Sequence, residues 1–252
     1  MKTAIATKKL TKKEAYSRRG IVFENDHILD PLGNWIKPVL KDGNTKTGKA
    51  VLTFSISVES CGRRCPGCYA CTGMYTCPTV IDSLDRNYLY AREYIDFLDN
   101  AIRAQLDTCK PGKEIRIHAA GDFFNDEYAA LWENIVKEYP DLVFWTYTKR
   151  IKYEEMLDKY DNGNIVRSIL PGIGINYGHA GYIAKAYNTL KAAGEDVHVC
   201  ECGIDPDHHC AGCHACSEHK YVLFVEHSTA YKAELDPDLS RIKAIIAAQK
   251  EK

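Results

Sequence analysis

Residues 50–71 read AVLTFSISVESCGRRCPGCYAC, and this stretch carries both the architecture and the chemistry of the chain. Ala50 to Val58 is rich in β-branched residues and alternates, the pattern of a strand. A cysteine loop follows, and then a long helical pattern from about Ile81 to Gln105. Strand, loop and helix in that order form the repeating unit of an α/β fold, whose functional groups collect on loops after the strands.

The same order recurs along the chain. Glu114 to Ala119 (EIRIHA) predicts a second strand, and Asn125 with its acidic followers caps a helix running to about Glu138. Leu142 to Thr148 predicts a third strand, with a short helix near 152–160. Asn164 to Asn176 contains a fourth strand region, followed by a helix from His179 to Ala193. Asp196 to Cys200 and Tyr221 to Glu226 give a fifth and sixth strand, and a last helix lies near 238–250. About six βα steps suit an open or partial (β/α) barrel better than a complete eight-fold one. We expect a single α/β domain over 21–252, with both cysteine-rich loops on the strand-end side. The basic segment 1–20, with seven Lys or Arg and one acid, reads as a loosely docked arm.

Composition removes several classes. The chain has 252 residues, 45% apolar and 27% charged, with a net charge of −1. That balance argues against a wholesale nucleic-acid coat. No apolar run approaches the roughly 18 residues that span a bilayer, and the basic start lacks the apolar core of a secretory signal. The expected location is the cytoplasm. Gly43 to Lys49 (GNTKTGK) lacks the spacing of a phosphate-binding P-loop.

Cysteine usage is the strongest signal. Ten of the eleven cysteines fall within 61–77 and 200–216, and Cys109 stands alone. An odd, clustered set is a poor disulfide framework, and small buried hydrophobes would not bunch in this way. The first group spaces Cys61, Cys65, Cys68 and Cys71 as CxxxCxxCxxC, with Cys77-Pro78 beyond it. In the second, Cys200 and Cys202 precede Cys210, Cys213 and Cys216. CxxCxxC lets one loop wrap three thiolates around an iron–sulfur cube, whereas a single zinc usually takes two ligands from each of two knuckles. Cys61, Cys65, Cys68, Cys202, Cys210, Cys213 and Cys216 are the candidate ligands of one or two [4Fe–4S] clusters, and whether Cys71, Cys77 or Cys200 joins them is left open at this point. Arg63 and Arg64 could offset cluster charge, and one of His208, His209, His214 or His219 could replace a cysteine as ligand.

Cys61, Cys65 and Cys68, placed after a strand and before a helix, resemble the radical S-adenosylmethionine signature. That resemblance implies a partial barrel, a [4Fe–4S] cluster with one iron open, and S-adenosylmethionine as a second cofactor. The superfamily's second strand ends in a Gly-Gly-Glu-like turn. Here only Gly121 and Asp122 match it, which makes these two the cofactor-binding candidates. A second resemblance covers perhaps 180 residues. Gly43 to Lys49, Cys68-Tyr69-Ala70, Arg116 to Phe123, Phe144 to Lys149 and the closing cysteines are similar to a gene-product-88-like family of phage and prophage proteins.

Three functions compete. A radical enzyme would use the first cluster and keep the second as auxiliary. A non-catalytic carrier or sensor would hold each cluster with four cysteines and meet a redox partner protein. A zinc-stabilised nucleic-acid-binding module would use the basic N-terminus. His118, Asp122 and Lys149, at or near strand ends, could perform acid–base work or bind a polar ligand, or could be purely structural. Gly172, Gly174 and Gly178 let the backbone approach something closely, either a cofactor or the loop's own surroundings. Tyr128, Leu131 and Trp132 recur at helical spacing and are read as core.

Overall fold

A computed structural model of the chain describes residues 10–43, 48–62, 68–170, 172–205, 210, 213–225 and 238–250. The helices are α1 (Lys12–Arg18), α2 (Pro78–Glu93), α3 (Ile95–Leu106), α4 (Asp126–Glu138), α5 (Ala180–Ala192), α6 (Ala215–Glu218) and α7 (Leu239–Lys250). The strands are β1 (Phe23–Glu24), β2 (His27–Leu29), β3 (Trp35–Ile36), β4 (Lys41–Asp42), β5 (Val51–Thr53), β6 (Glu114–Arg116) and β7 (Val143–Thr148). They continue with β8 (Gly163–Arg167), β9 (Ile169–Leu170), β10 (Gly174–Ile175), β11 (Tyr177–Gly178), β12 (Val197–Cys200) and β13 (Tyr221–Val225).

The βα order is observed. β5, β6, β7 and β8 pair in parallel, with β4 antiparallel on the edge. Backbone bonds carry the β5–β6 pairing past the formal strands, from Phe54 N–H to Arg116 O (2.9 Å) and from Ile56 N–H to Ala120 O (3.1 Å). One face of this sheet presents Leu52, Ile115, Phe144 and Ile165, and Trp132, Ile135 and Ile102 pack with them in the main core. Asn125 caps α4 as expected, its side chain accepting the Tyr128 amide at 2.8 Å.

A second parallel sheet has the order β11-β13-β12, and the backbone bond from Arg167 N–H to Lys220 O (2.8 Å) ties the start of its central strand to β8. Among the described residues the strands close no barrel, and they do not follow one another in sequence order as six successive βα steps would require. The last strand lies between two earlier ones. Its run YVLFV is apolar on both faces and buried at Tyr221, Val222, Leu223 and Val225, which suits a central strand rather than an edge.

Three further expectations change. The 81–105 pattern is two helices, α2 and α3, parted at Tyr94, whose φ of −137° leaves the helix and whose ring packs edge-on against Tyr90. The 152–160 segment forms only a short 3-10 turn at Ile151–Tyr153 before a run of turns. Nor is the basic start wholly loose. A capping box between Thr11 and Glu14 begins α1, and Ala15 and Tyr16 are buried, with Tyr16 stacked on Phe23. No helix among the described residues is long and apolar enough to cross a membrane.

Candidate metal centre

The two cysteine groups occupy different places. At the first, three segments leaving β5, β6 and β7 are tied together. Ser60 Oγ accepts the Asp122 amide (3.0 Å), and Arg150 Nη2 donates to Ser60 O (3.1 Å). The Asp122 carboxylate accepts from the Phe123 amide (2.8 Å), the Thr148 hydroxyl (2.7 Å) and the Lys149 amide (2.9 Å). Burial pushes the Asp122 pKa up, while those three donors and the Lys149 charge pull it down. Asp122 is thus a clamp between strand ends.

Gly121 has a different reason to lack a side chain. At φ +87°, a Cβ would lie 2.4 Å from Ile56 Cγ1 and 2.9 Å from the Ile56 carbonyl oxygen. The residue permits close approach within the chain itself.

Beside this clamp lies a pocket of about 440 Å³ lined by Cys61, Asp122, Phe124, Lys149, Arg150 and Tyr153, among others. Cys61 and Cys68 are half-buried, and the Lys149 ammonium acts electrostatically on the Cys68 thiol. Cys65, Arg63 and Arg64 lie outside the described residues, as do His208 and His209. Cys109 is half-buried and donates to Gln105 O (3.5 Å), away from both groups.

His118 is an interior residue. Its Nε2 pairs with the Tyr128 hydroxyl (2.8 Å) and its Nδ1 with the Thr146 hydroxyl (3.3 Å). Burial, helped by the Arg116 charge, lowers its pKa to about 3. A ring held neutral, with both nitrogens occupied, does not serve acid–base exchange near neutrality. It does have a consequence for stability. An unfolded histidine takes up a proton at about 6.5, whereas this one resists until about 3. Stability present above pH 6.5 should therefore drain as pH falls toward 3, because the unfolded state binds the extra proton. In urea titrations from pH 7 to 4, His118→Gln should show a flatter loss than the unsubstituted chain, and equal slopes would refute the assignment.

The second group does not share the strand-end side with the first. It lies against the other face of the β5–β8 sheet. Register places Glu114 and Arg116 of β6, Trp145 and Tyr147 of β7, and Asn164 and Val166 of β8 on that face. Asn164 Nδ2 donates to the carbonyls of Cys216 and His219 (both 3.0 Å), pinning α6 to the sheet. Cys216 Sγ and the Tyr147 hydroxyl are 2.7 Å apart. The Arg116 guanidinium sits 5.2 Å from the Trp145 ring and 5.3 Å from the Tyr147 ring. His214 and His219 meet the carboxylates of Glu114 (2.6 Å) and Asp196 (2.8 Å) through Nδ1.

Cys202, Cys210, Cys213 and Cys216 gather here. Cys202 and Cys210 have sulfurs 3.3 Å apart without a disulfide, and Cys210 and Cys213 act electrostatically on Cys216. Burial pushes the Cys216 thiol up to about 12, against the Tyr147 hydrogen bond and the Arg116 charge. Burial raises Cys213 as well, opposed by a hydrogen bond from the Ala215 amide. Cys200 is buried at the end of β12. Among the described residues, no three His, Cys, Asp or Glu side chains are already disposed around a single ion. What is present is one pair of thiols in contact, Cys202 and Cys210, with Cys213 and Cys216 within electrostatic range of Cys210, and Cys216 beside the Tyr147 hydroxyl and the Arg116 charge.

The sequence reading missed Ser60, Arg116, Tyr147 and Arg150. None belongs to a cysteine motif, although Arg116 lies two residues after Glu114 and Tyr147 two after Trp145, the period that places strand residues on one face. The approach at Gly174 and Gly178 is also internal, since in both cases a Cβ would strike the Tyr182 side chain of α5.

The Gene product 88 family model matches residues 38–236, most of the chain and nearly all of both sheets. The chain belongs to the Gene product 88 family. Over 43 residues it is 44% identical to the Gene 88 protein of Mycobacterium phage L5, a stretch covering 17% of this chain and 18% of that protein. It is 42% identical over 43 residues to the Gene 88 protein of Mycobacterium phage D29, with the same shares. The chain thus aligns with less than a fifth of these curated relatives' length. No solved structure matches. Family membership covers every strand-end and sheet-face residue named above, since the site extends from Ser60 to Cys216 inside the matched range.

Proposed function

We propose that this Gene product 88 family member is an iron–sulfur protein that holds one [4Fe–4S] cluster at each cysteine group and works as an electron carrier or redox sensor. The observation carrying the proposal is the gathering of Cys202, Cys210, Cys213 and Cys216 on a covered sheet face, with no disulfide among them. Deprotonating buried thiols is costly, and a bound cation or cluster supplies the compensation. The donor set fits such a group. Thiolates would hold it, while Arg116, the Tyr147 hydroxyl and the Ala215 amide would offset or share their charge. When bound, the cluster supplies one-electron chemistry. The redox partner would be a protein, reaching the cluster at the host cell's internal, reducing potential.

A second reading is radical chemistry on a partial barrel with S-adenosylmethionine bound near Gly121 and Asp122. It is favoured by the pocket beside Cys61, where Lys149 and Arg150 could meet a carboxylate. A zinc-stabilised module is the remaining alternative.

Protein isolated without oxygen should be brown, contain iron and acid-labile sulfide in equal amounts, and give a paramagnetic signal on reduction. Colourless protein holding zinc alone would reject the proposal in favour of the zinc module.

A further inference from the structure

We infer that the pocket beside Cys61 binds a small organic phosphate, its charged group between Lys149 and Arg150 and its apolar body along Phe124, Ile151 and Tyr153. The inference needs no metal. It also differs from the S-adenosylmethionine reading, because that molecule brings a carboxylate and no phosphate.

The pocket lies where segments leaving β5, β6 and β7 are tied together, the side on which open α/β sheets take their ligands. Three cations in one short run line it, Lys149, Arg150 and Lys152. Lys152 is neutralised by Asp126 at 2.6 Å. Among the described residues, Lys149 and Arg150 have no carboxylate within ion-pair distance. Asp122, the acid in the same lining, is buried and spends its oxygens on the Phe123 and Lys149 amides and the Thr148 hydroxyl. Other covered arginines of the fold do face carboxylates. Arg19 meets Asp107 (3.1 Å), Arg103 meets Asp99 (2.7 Å) and Arg167 meets Glu155 (2.9 Å). Two neighbouring cations at a concave site without such partners suit an oxyanion.

Both cations are held in place. The Lys149 amide donates to Asp122 Oδ2 (2.9 Å) and the Arg150 amide to Thr148 Oγ1 (3.0 Å). The Arg150 guanidinium reaches across Gly62 to donate from Nη2 to Ser60 O (3.1 Å), and a Cβ at position 62 would stand 2.9 Å from that nitrogen. A guanidinium bonded in this way to a neutral carbonyl keeps its full charge and its other Nη for a ligand.

Size and lining describe the rest of that ligand. At about 440 Å³ the pocket exceeds a bare phosphate and falls in the range of small-molecule sites. Its wall is apolar. The Phe123 and Tyr153 rings meet at 5.5 Å, Phe124 is half-buried, and Ile151 is 69% exposed although it lines the pocket. An apolar body would cover these side chains. A phosphate monoester carries about −1.5 to −2 charges at pH 7, which matches two cations better than a carboxylate's single charge.

The test is calorimetric binding to the full chain isolated without oxygen, with phenyl phosphate, benzoate and inorganic phosphate as probes. Iron, sulfide and zinc are measured on the same preparation. Phenyl phosphate should bind about ten-fold or more tightly than benzoate, which lacks the second charge, and than inorganic phosphate, which lacks the ring. S-adenosylmethionine should not displace it. Lys149→Gln and Ile151→Glu should each weaken binding about ten-fold or more, the first by removing a cation and the second by adding a carboxylate. Lys137→Gln, on the exposed side of α4, should leave it unchanged. Ile151 lies outside the core, so Ile151→Glu decides the matter should Lys149→Gln fail to fold. Absent binding of phenyl phosphate, equal binding of benzoate or inorganic phosphate, displacement by S-adenosylmethionine, or full affinity in Ile151→Glu would each overturn the inference. Iron-loaded protein that ignores phenyl phosphate overturns it and leaves the iron–sulfur reading standing. Protein that binds the probe but holds no iron does the reverse.

Discussion

Gly121→Ala should lose about 2–6 kcal/mol of stability, from left-handed backbone strain and from overpacking, each worth about 1–3 kcal/mol. The strain follows from a φ of +87°, which an L side chain rarely adopts. The overpacking follows from the neighbours, because the new methyl would meet Ile56 Cγ1 at 2.4 Å and the Ile56 carbonyl at 2.9 Å. Neither can yield cheaply. Ile56 is fully buried, and its amide is bonded to Ala120 O in the continuation of the β5–β6 pairing. Displacing it would also disturb Ser60, whose hydroxyl accepts the Asp122 amide and lies 2.8 Å from the same Cβ position. Gly194→Ala is the control. Its φ is +79°, but nothing lies within 4 Å of its Cβ position, so only the backbone cost of about 1 kcal/mol remains. Urea midpoints of the two variants should separate clearly, and a Gly121→Ala variant as stable as Gly194→Ala would show that the strand-end packing is looser than described.

The second large effect is expected at Cys216. This cysteine both meets the Tyr147 hydroxyl and sits among the other thiols of the second group. Serine keeps a hydrogen-bonding oxygen for Tyr147 but is a poor metal ligand, so Cys216→Ser separates the two contributions. If the residue holds a metal, the substitution should lose that site's metal and cost about 3 kcal/mol or more. In a chain of this size, that lowers the melting temperature by roughly 6–12 °C. The size of the effect has a structural reason. A parallel sheet needs cover on both faces. On one face the main core provides it with Trp132, Ile102 and their neighbours. On the other, the cysteine-rich segment and the short helix α6 lie over Tyr147, Val166, Val222 and Phe224. So short a segment buries little apolar surface of its own, and metal ligation would fix it in place, as in other small cysteine-rich modules. A Cys216→Ser protein with unchanged metal content and melting temperature would reduce this residue to a hydrogen-bonding partner.

Local signals decided the elements one at a time. The Asn125 cap, the β-branched run of β7 and the apolar run of β13 are each determined within a few residues, since capping and side-chain alternation act over one or two turns of chain. The cysteine spacing is likewise a local signal, because CxxC is a property of a single turn. Strand order was not legible. That β13 inserts between β11 and β12 depends on which partners compete for the same edge, and sequence periodicity holds no record of that. Nor was it legible that His118 would be sealed in the interior, or that Arg116 and Tyr147 would face the second cysteine group. Those residues lie 100 and 69 positions from Cys216 and meet it only because the sheet brings β6, β7 and the returning chain together. By itself, the sequence determined which cysteines form two groups and that they follow strands of an α/β chain. Tertiary packing decided the rest, setting one group at the strand ends and the other across the sheet face. Long-range pairing is settled by the burial of both sheet faces at once, a condition no local segment can satisfy alone.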